Sequence, residues 1–302
     1  MLLEGFLNML KPPGMTSHDV VAWARAQLGI KGVGHLGTLD PAAAGVLPLS
    51  LGRATRLFEH ASGPEKAYRA EIVFGLQTDT LDAEGKVIAS AEADNLTEQQ
   101  VRSLLLPLIG EIEQVPPAFS AVSVQGRRLH ESARAGIRVA GRPRRVTIHQ
   151  LDLVDFVPGR RACALVDVVC SGGTYIRALA DDLGRAAGCG ACLGFLVRTR
   201  AGRFKLSESR TLEEVSACVA ASRVDECVIP IDWPLAGLAE FALTDAEARA
   251  FVRGTAIPVS AQPAARARAY GPGRTFLGLG EVLLGGAFQP RLVLRSEGEL
   301  TI

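Results

Sequence analysis

Asp40 stands out chemically because it is the single formal charge in residues 32–52, a stretch otherwise rich in glycine, alanine and other apolar residues. A carboxylate in such surroundings is one that desolvation and a chosen partner can tune, so Asp40 is a candidate nucleophile or base. Asp40-Pro41 followed by three alanines also has a purely structural reading, an aspartate N-cap with proline at the first helical position. The two readings are compatible, since a capping carboxylate can face a cleft. Nearby, Gly32-Val-Gly-His-Leu-Gly37 matches the dinucleotide pattern G-x-G-x-x-G letter for letter. That pattern should follow a strand and open a long helix. Here a helical pattern precedes it and Thr-Leu-Asp-Pro follows, so a nicotinamide or flavin site is not expected.

Other residues capable of chemistry have bland alternatives. Cys189-Gly-Ala-Cys192 has the spacing of zinc and redox pairs, but no second pair exists and His130 and His149 lie far off in sequence, so no metal site is expected. His35 reads as a loop histidine. Tyr68 and Tyr175 are two of three tyrosines, and by default each packs with its hydroxyl satisfied.

Charge is informative only locally. Lysine plus arginine number 33 against 32 acids, so no global positive field announces nucleic acid. Residues 118–149, however, carry seven arginines (Arg127, Arg128, Arg134, Arg138, Arg142, Arg144 and Arg145) and one acid, Glu131. By default this is a solvated face, but so one-sided a cluster also suits phosphate contact. The apolar stretch Leu7 to Leu10, between Glu4 and Lys11, is too short and too charged for a signal peptide, and no run reaches the ~18 apolar residues of a membrane span. A soluble, cytoplasmic protein is expected. The six cysteines lack the spacing of a secreted disulfide framework and read as small buried residues.

The elements that must position these residues follow from pattern. A strand from Phe6 to Leu10 leads into a Pro-Pro-Gly turn, and Ser17 reads as the N-cap of a helix running toward Gly29. Residues 53–61 read as helical, 67–74 as a strand, 82–85 as a turn and 87–89 as a returning strand. Thr97 with Gln100 forms a capping box for a helix reaching Ile109. Strands are expected at 121–124, 146–156, 163–170 and 193–199, with helices at 174–187 and 211–221. Pro230, Pro234 and Gly237 make 229–237 the best linker, followed by a helix at 244–253 and short strands. At 302 residues the chain has room for two domains, one large and one small.

Written out, residues 34–48 read GHLGTLDPAAAGVLP, and this segment resembles the catalytic motif of the TruB family, the bacterial tRNA pseudouridine-55 synthases. Further blocks similar to the family follow in order: LKPPGMTS (10–17), KAYRAEIVFGLQTDTLDAEG (66–85), PPAFSAVSVQGRRLHESARAG (116–136), GGTYIRALADDLG (172–184) and LVRTRAGRF (196–204). Long ordered blocks are far more specific than one short pattern. One departure is Leu10, where the family commonly has Asp before Lys-Pro.

The resemblance implies an α+β fold: a pseudouridine synthase catalytic domain (residues 1–235) with a mixed sheet and peripheral helices, and a small β-rich C-terminal domain similar to the PUA module (236–302). Residues 118–149 would be a thumb-like insertion pressing on RNA. Carried over by position, Asp40 corresponds to the essential aspartate, Tyr68 to a tyrosine stacking on the base, and Tyr175 and Arg177 to a second tyrosine and the arginine paired with the aspartate. Leu196 corresponds to an apolar residue against the base and His35 to a histidine near the space a flipped nucleotide vacates. Lys66 and Arg198 match positions that orient strands or contact RNA, while Arg127, Arg128, Arg144 and Arg145 would meet phosphates.

The family reaction breaks the N1 glycosidic bond of a uridine, turns the base and rejoins it through C5, with no net redox change and so no cofactor. The carboxylate could attack C1′, add to C6 or deprotonate C2′, and sequence leaves all three open. A bidentate Arg177 would aim Asp40 and lower its pKa. Tyr175 or water would take the C5 proton. The uridine must be flipped out of the T loop. The expected partner is the tRNA T stem-loop, with no membrane, no required protein partner and a monomeric state. The rivals are a noncatalytic RNA-binding relative, a nicotinamide enzyme and a guide-RNA-dependent relative.

Overall fold

The computed structural model describes residues 3–117, 123–124, 127–128, 141–260 and 264–300. Strands β1 (Gly5–Lys11), β2 (Val33–His35), β3 (Ala44–Leu51) and β4 (Glu65–Phe74) are followed by a hairpin of β5 (Leu76–Thr78) and β6 (Val87–Ser90), then by β7 (Gly110–Gln114). Two-residue strands β8 (Ser123–Val124) and β9 (Arg127–Arg128) precede the long β10 (Arg144–Val157), β11 (Cys163–Ser171), β12 (Ala191–Ala201) and β13 (Phe204–Lys205). The main sheet runs β1-β3-β12-β4-β11-β10-β7, with β2 on β3 and β13 on β12. Among the described strands of this sheet only β12 and β3 pair in parallel, through Val197–Ala44 and Arg198–Gly45, so the sheet is mixed.

In β4 and β11 alternate residues are buried (Ala70, Ile72 and Phe74; Ala164, Val166, Val168 and Cys170) and the others are partly or fully exposed, so one face is core. Helices α1 (Ser17–Leu28), α2 (Phe58–Ala61), α3 (Glu98–Leu105), α4 (Ile176–Ala187) and α5 (Leu212–Ala220) accompany it, and Val20, Val101, Leu179, Leu183 and Val215 join one apolar cluster with Leu47, Ile72 and Val166. Gly184 lets α4 lie against β12, because a Cβ there would sit 1.9 Å from the Ala191 nitrogen.

The second sheet, β14 (Ala239–Ala242), β15 (Ile257–Pro258), β16 (Ala264–Tyr270), β17 (Phe276–Leu283) and β18 (Ala287–Val293), has the order β14-β16-β17-β18-β15 and packs helix α6 (Asp245–Val252). It does not hang on a loose tether. Ile229 bridges to Phe6, and Ile231 and Leu235 are buried with Phe6, Phe204, Tyr270, Phe276 and Leu279. Segment 229–237, expected as a linker, is therefore part of a shared core: its prolines shape a turn whose apolar side chains bury on both bodies. Ion pairs from Glu4 to Arg53 and Arg295, and from Arg53 to Glu299, reinforce the junction.

Among the described residues, no helix is long and apolar enough to cross a membrane. The capping boxes at Thr97, Thr211 and Thr244 form as their sequences require. Helix α1 is capped by Thr16 with Asp19 rather than by Ser17, which is buried inside the first turn.

Candidate active site

The parallel contact between β3 and β12 lasts only two residue pairs, and the chain entering β3 lies beside a cleft of about 260 Å³. Gly37, Thr38, Leu39 and Asp40 form one wall, β4 supplies Lys66 and Tyr68, and β12 supplies Leu196 and Arg198. Residues 173–177, at the start of α4, and Arg144 complete it. Gly45 makes the approach of β3 to β12 possible. Its φ is +111°, and a Cβ would lie 2.3 Å from the Arg198 carbonyl oxygen.

No helix follows Asp40, so the N-cap reading is incorrect. Residues 41–42 form a turn that leads into β3, which pairs with β1 from Gly45 to Leu51 and with β12 at Ala44, and that pairing overrides the alanine run. The Asp40 side chain is 42% exposed to the cleft, and its Oδ2 lies 3.0 Å from Nε of Arg177, which is 6% exposed. The Arg177 Nη1 also reaches Asp82 Oδ2 at 3.3 Å and donates to the Thr80 carbonyl at 3.1 Å. The expected lowering of the Asp40 pKa is also reversed. Burial raises it most, Asp82 adds to the rise, and Arg177 and Lys11 oppose without overcoming it.

Arg198 is 1% exposed and holds the wall together. Its Nε donates to the Val46 carbonyl (2.7 Å), Nη1 to Thr38 (3.2 Å) and Nη2 to Gly37 (3.1 Å). Burial raises the Tyr68 phenol above its ordinary value, with Arg198 opposing. Of the two expectations for Arg198, the geometry matches orienting the strands. Lys66 is buried, donates to the Ser62 carbonyl, and is pushed down to about 8 by burial and by Arg198.

Opposite, the backbone of Tyr175 is clamped by the Gln114 amide, which accepts from Tyr175 N (3.0 Å) and donates to Tyr175 O (3.2 Å). The Arg144 guanidinium lies 4.4 Å from the Tyr175 ring centroid and donates to the Gly173 carbonyl. Leu196, 7% exposed, supplies an apolar wall.

The structure thus brings Asp40, Tyr68, Tyr175, Arg177, Lys66, Leu196, Arg198 and Arg144 around one cleft. His35 is not in its lining. It meets His18 edge-on at 5.3 Å, its Nδ1 is buried without a hydrogen-bond partner among the described residues, and burial lowers its pKa. Arg145 is exposed and pairs with Glu111. The backbones of Arg127 and Arg128 pair with Val124 and Ser123, while their side chains, and the whole of Arg134 and Arg138, lie outside the described residues.

Sequence reasoning missed four residues that support this cleft. Asp82 sat in what reads as a plain turn, and Gln114 carried no signal. Lys11 is fully buried and donates to the carbonyls of Pro12 (2.8 Å), Met15 (2.7 Å) and Pro41 (3.0 Å), with burial pushing its pKa down to about 8. A lysine ending an apolar strand was the available clue. Ser17 Oγ accepts from Leu39 N (2.9 Å) and donates to Leu39 O (3.1 Å), fixing the residue just before Asp40. Ser17→Ala is expected to lower kcat about tenfold to a hundredfold through misplacement of Asp40, with KM nearly unchanged. Equal falls in kcat and in the folded fraction would show a purely structural role.

Such a cleft can hold a planar ring between aromatic and aliphatic walls while an ionised carboxylate meets it from the floor. The model of the TruB family pseudouridylate synthase N-terminal domain matches residues 25–176. The tRNA pseudouridylate synthase B C-terminal domain matches 177–236, and the pseudouridine synthase II TruB C-terminal model matches 239–294. The chain belongs to the TruB family of pseudouridylate synthases.

A tRNA pseudouridine synthase B of Symbiobacterium thermophilum is 59% identical over 215 residues, covering 71% of this chain and 72% of the relative. That of Thiobacillus denitrificans is 42% identical over 291 residues and covers 96% of each. A crystal structure of a Cbf5–Nop10–Gar1 complex matches 97% of this chain and 86% of its own at a TM-score of 0.74 and 26% identity. The TruB-family fold is accordingly α+β, as the sequence blocks led one to expect.

Proposed function

We propose that this TruB-family chain isomerises a uridine of tRNA, the one at position 55 in the T loop, to pseudouridine. The observation that carries this reading is the Asp40–Arg177–Asp82 array at the floor of a cleft walled by Tyr68, Tyr175 and Leu196. Residues 1–235 do the chemistry, and 236–302 act as a PUA-like RNA-binding module. The T stem-loop contacts the arginine-rich segment 118–149 through phosphate, and the protein works as a cytoplasmic monomer without protein partners.

The uridine enters flipped and stacks on Tyr68, with Leu196 and Tyr175 closing the pocket and His35 propping the stem it leaves. Arg177 aims Asp40 at the sugar and base, where the carboxylate acts at C1′, C6 or C2′. The glycosidic bond breaks, the base turns, and C5 joins C1′. The C5 proton leaves to Tyr175 or to water, and N1, freed from the sugar, takes up a proton in its place. Lys66 and Arg198 hold the walls in register. Arg127, Arg128, Arg144 and Arg145 meet phosphate oxygens.

Since C5 loses its hydrogen, an unmodified tRNA transcript carrying tritium at C5 of uridine should release label in single turnover, from one T-loop position. Bound RNA with no release would defeat the reading and leave an RNA-binding relative. The pH profile gives a second check. Asp40 must be ionised, and its pKa is raised above the ordinary 3.8, so activity disappears as pH falls through a value above that of a free aspartate. An acid limb at or below 3.8 would contradict the buried environment of Asp40.

A further inference from the structure

A second cavity, of about 340 Å³, opens where the C-terminal sheet meets the catalytic body. Its size lies within the ~300–1,000 Å³ typical of small-ligand sites. Leu235, 3% exposed, and Leu238 give it an apolar floor, with Pro64 and Pro234 beside them. His60, Arg200, Arg203 and Arg266 line it against one carboxylate, Glu65. Glu65 is already committed to Arg200, at 3.1 Å.

Arg203 and Arg266 have no carboxylate partner among the described residues, although the chain as a whole is nearly neutral. The Arg203 guanidinium lies 4.9 Å from the Trp233 ring centroid, which leaves its edge donors free for an acceptor. His60 Nδ1 is buried without a hydrogen-bond partner among the described residues.

The cavity shares a wall with the candidate active site. Lys66 holds the Ser62 carbonyl from the catalytic side, while Gly63, Pro64 and Glu65 face the second cavity. On β12, Arg198 lines the first and Arg200 the second, two residues or roughly 7 Å along the strand. We propose that this cavity binds a nucleotide of the same RNA adjoining the reactive uridine, its phosphate on Arg203 and Arg266 and its base on the Leu235–Leu238 floor. The inference rests on the RNA-modifying reading above.

The test measures affinity for an unmodified tRNA transcript over a series of salt concentrations, with single-turnover tritium release at saturating enzyme. Arg203→Ala and Arg266→Ala should each weaken binding about tenfold, the worth of one charge-assisted hydrogen bond. Each should also reduce the slope of log K against log salt by about 1. The saturated rate should stay unchanged.

Gly237→Trp adds bulk without charge at a position where a Cβ meets nothing within 4 Å, so the fold tolerates it. It should weaken binding and leave the slope intact. Arg291→Ala, remote on β18 and paired with Glu281 at 2.8 Å, is the control. Losses equal to those of the control, or an unaffected Gly237→Trp, would overturn the site. Absence of wild-type tritium release would instead count against the catalytic reading.

Discussion

Asp40→Asn should abolish turnover, by at least about 10⁴-fold, while tRNA affinity stays within a few fold of wild type. The amide keeps the size and the polar contacts of the carboxylate but can act neither as nucleophile nor as base. The same substitution should not destabilise the fold, because the folded-state pKa of Asp40 lies above its ordinary value. The native protein therefore binds that proton more tightly than the unfolded chain. Stability falls as pH rises from 3.8 through the raised value, and an ionised Asp40 opposes folding at neutral pH. A neutral side chain removes that opposition, so Tm should equal or exceed that of wild type. Measurable turnover by Asp40→Asn, or a Tm drop large enough to explain the loss, would show that the residue is not the catalyst.

Arg177→Met should cost both activity and stability. The guanidinium is 6% exposed and lies between Asp40 and Asp82, so its removal leaves two carboxylates facing each other with no cation between them. Breaking a buried pair in this way costs about 3 kcal/mol. Turnover should fall about 10²- to 10³-fold, as it does when one preorganised donor is removed from an active site. Because Arg177 lowers the Asp40 pKa, its loss should also move the acid limb of the pH profile upward. Adding Asp82→Asn to Arg177→Met should recover part of the stability but not the turnover, a coupling that a double-mutant cycle resolves. Arg177→Lys should remain impaired, since one ammonium cannot reproduce a fork that serves two carboxylates and the Thr80 carbonyl. Full activity in Arg177→Lys would show that only charge matters there.

The candidate site was legible to the extent that local pattern carried it. Asp40 was conspicuous because residues 32–52 contain no other formal charge, and the blocks around Tyr68, Tyr175 and Leu196 were long enough to identify a family. What those residues touch was not legible. The arginine matched to Asp40 divides its donors between two aspartates, and the second, Asp82, is 95 residues away in sequence from Arg177 and read as an ordinary turn residue. His35 matched a motif position but packs against His18 outside the cleft lining.

Elements governed by short-range rules were readable from the residues alone: the capping box at Thr97, the alternating strands β4 and β11, and the carboxylate at Asp40. These rules act within a few residues, so the residues themselves display them. Tertiary structure alone decided that Asp40-Pro41 opens a strand instead of a helix, because pairing of β3 with β1 outweighs the helix preference of alanine. It also decided that Ser17 anchors Leu39 instead of capping α1, and that 229–237 is core instead of linker. Above all, it set the Asp40 pKa, which rises because neighbouring elements strip away part of the carboxylate's hydration and bring Asp82 near it, an arrangement that exists only once the chain has folded.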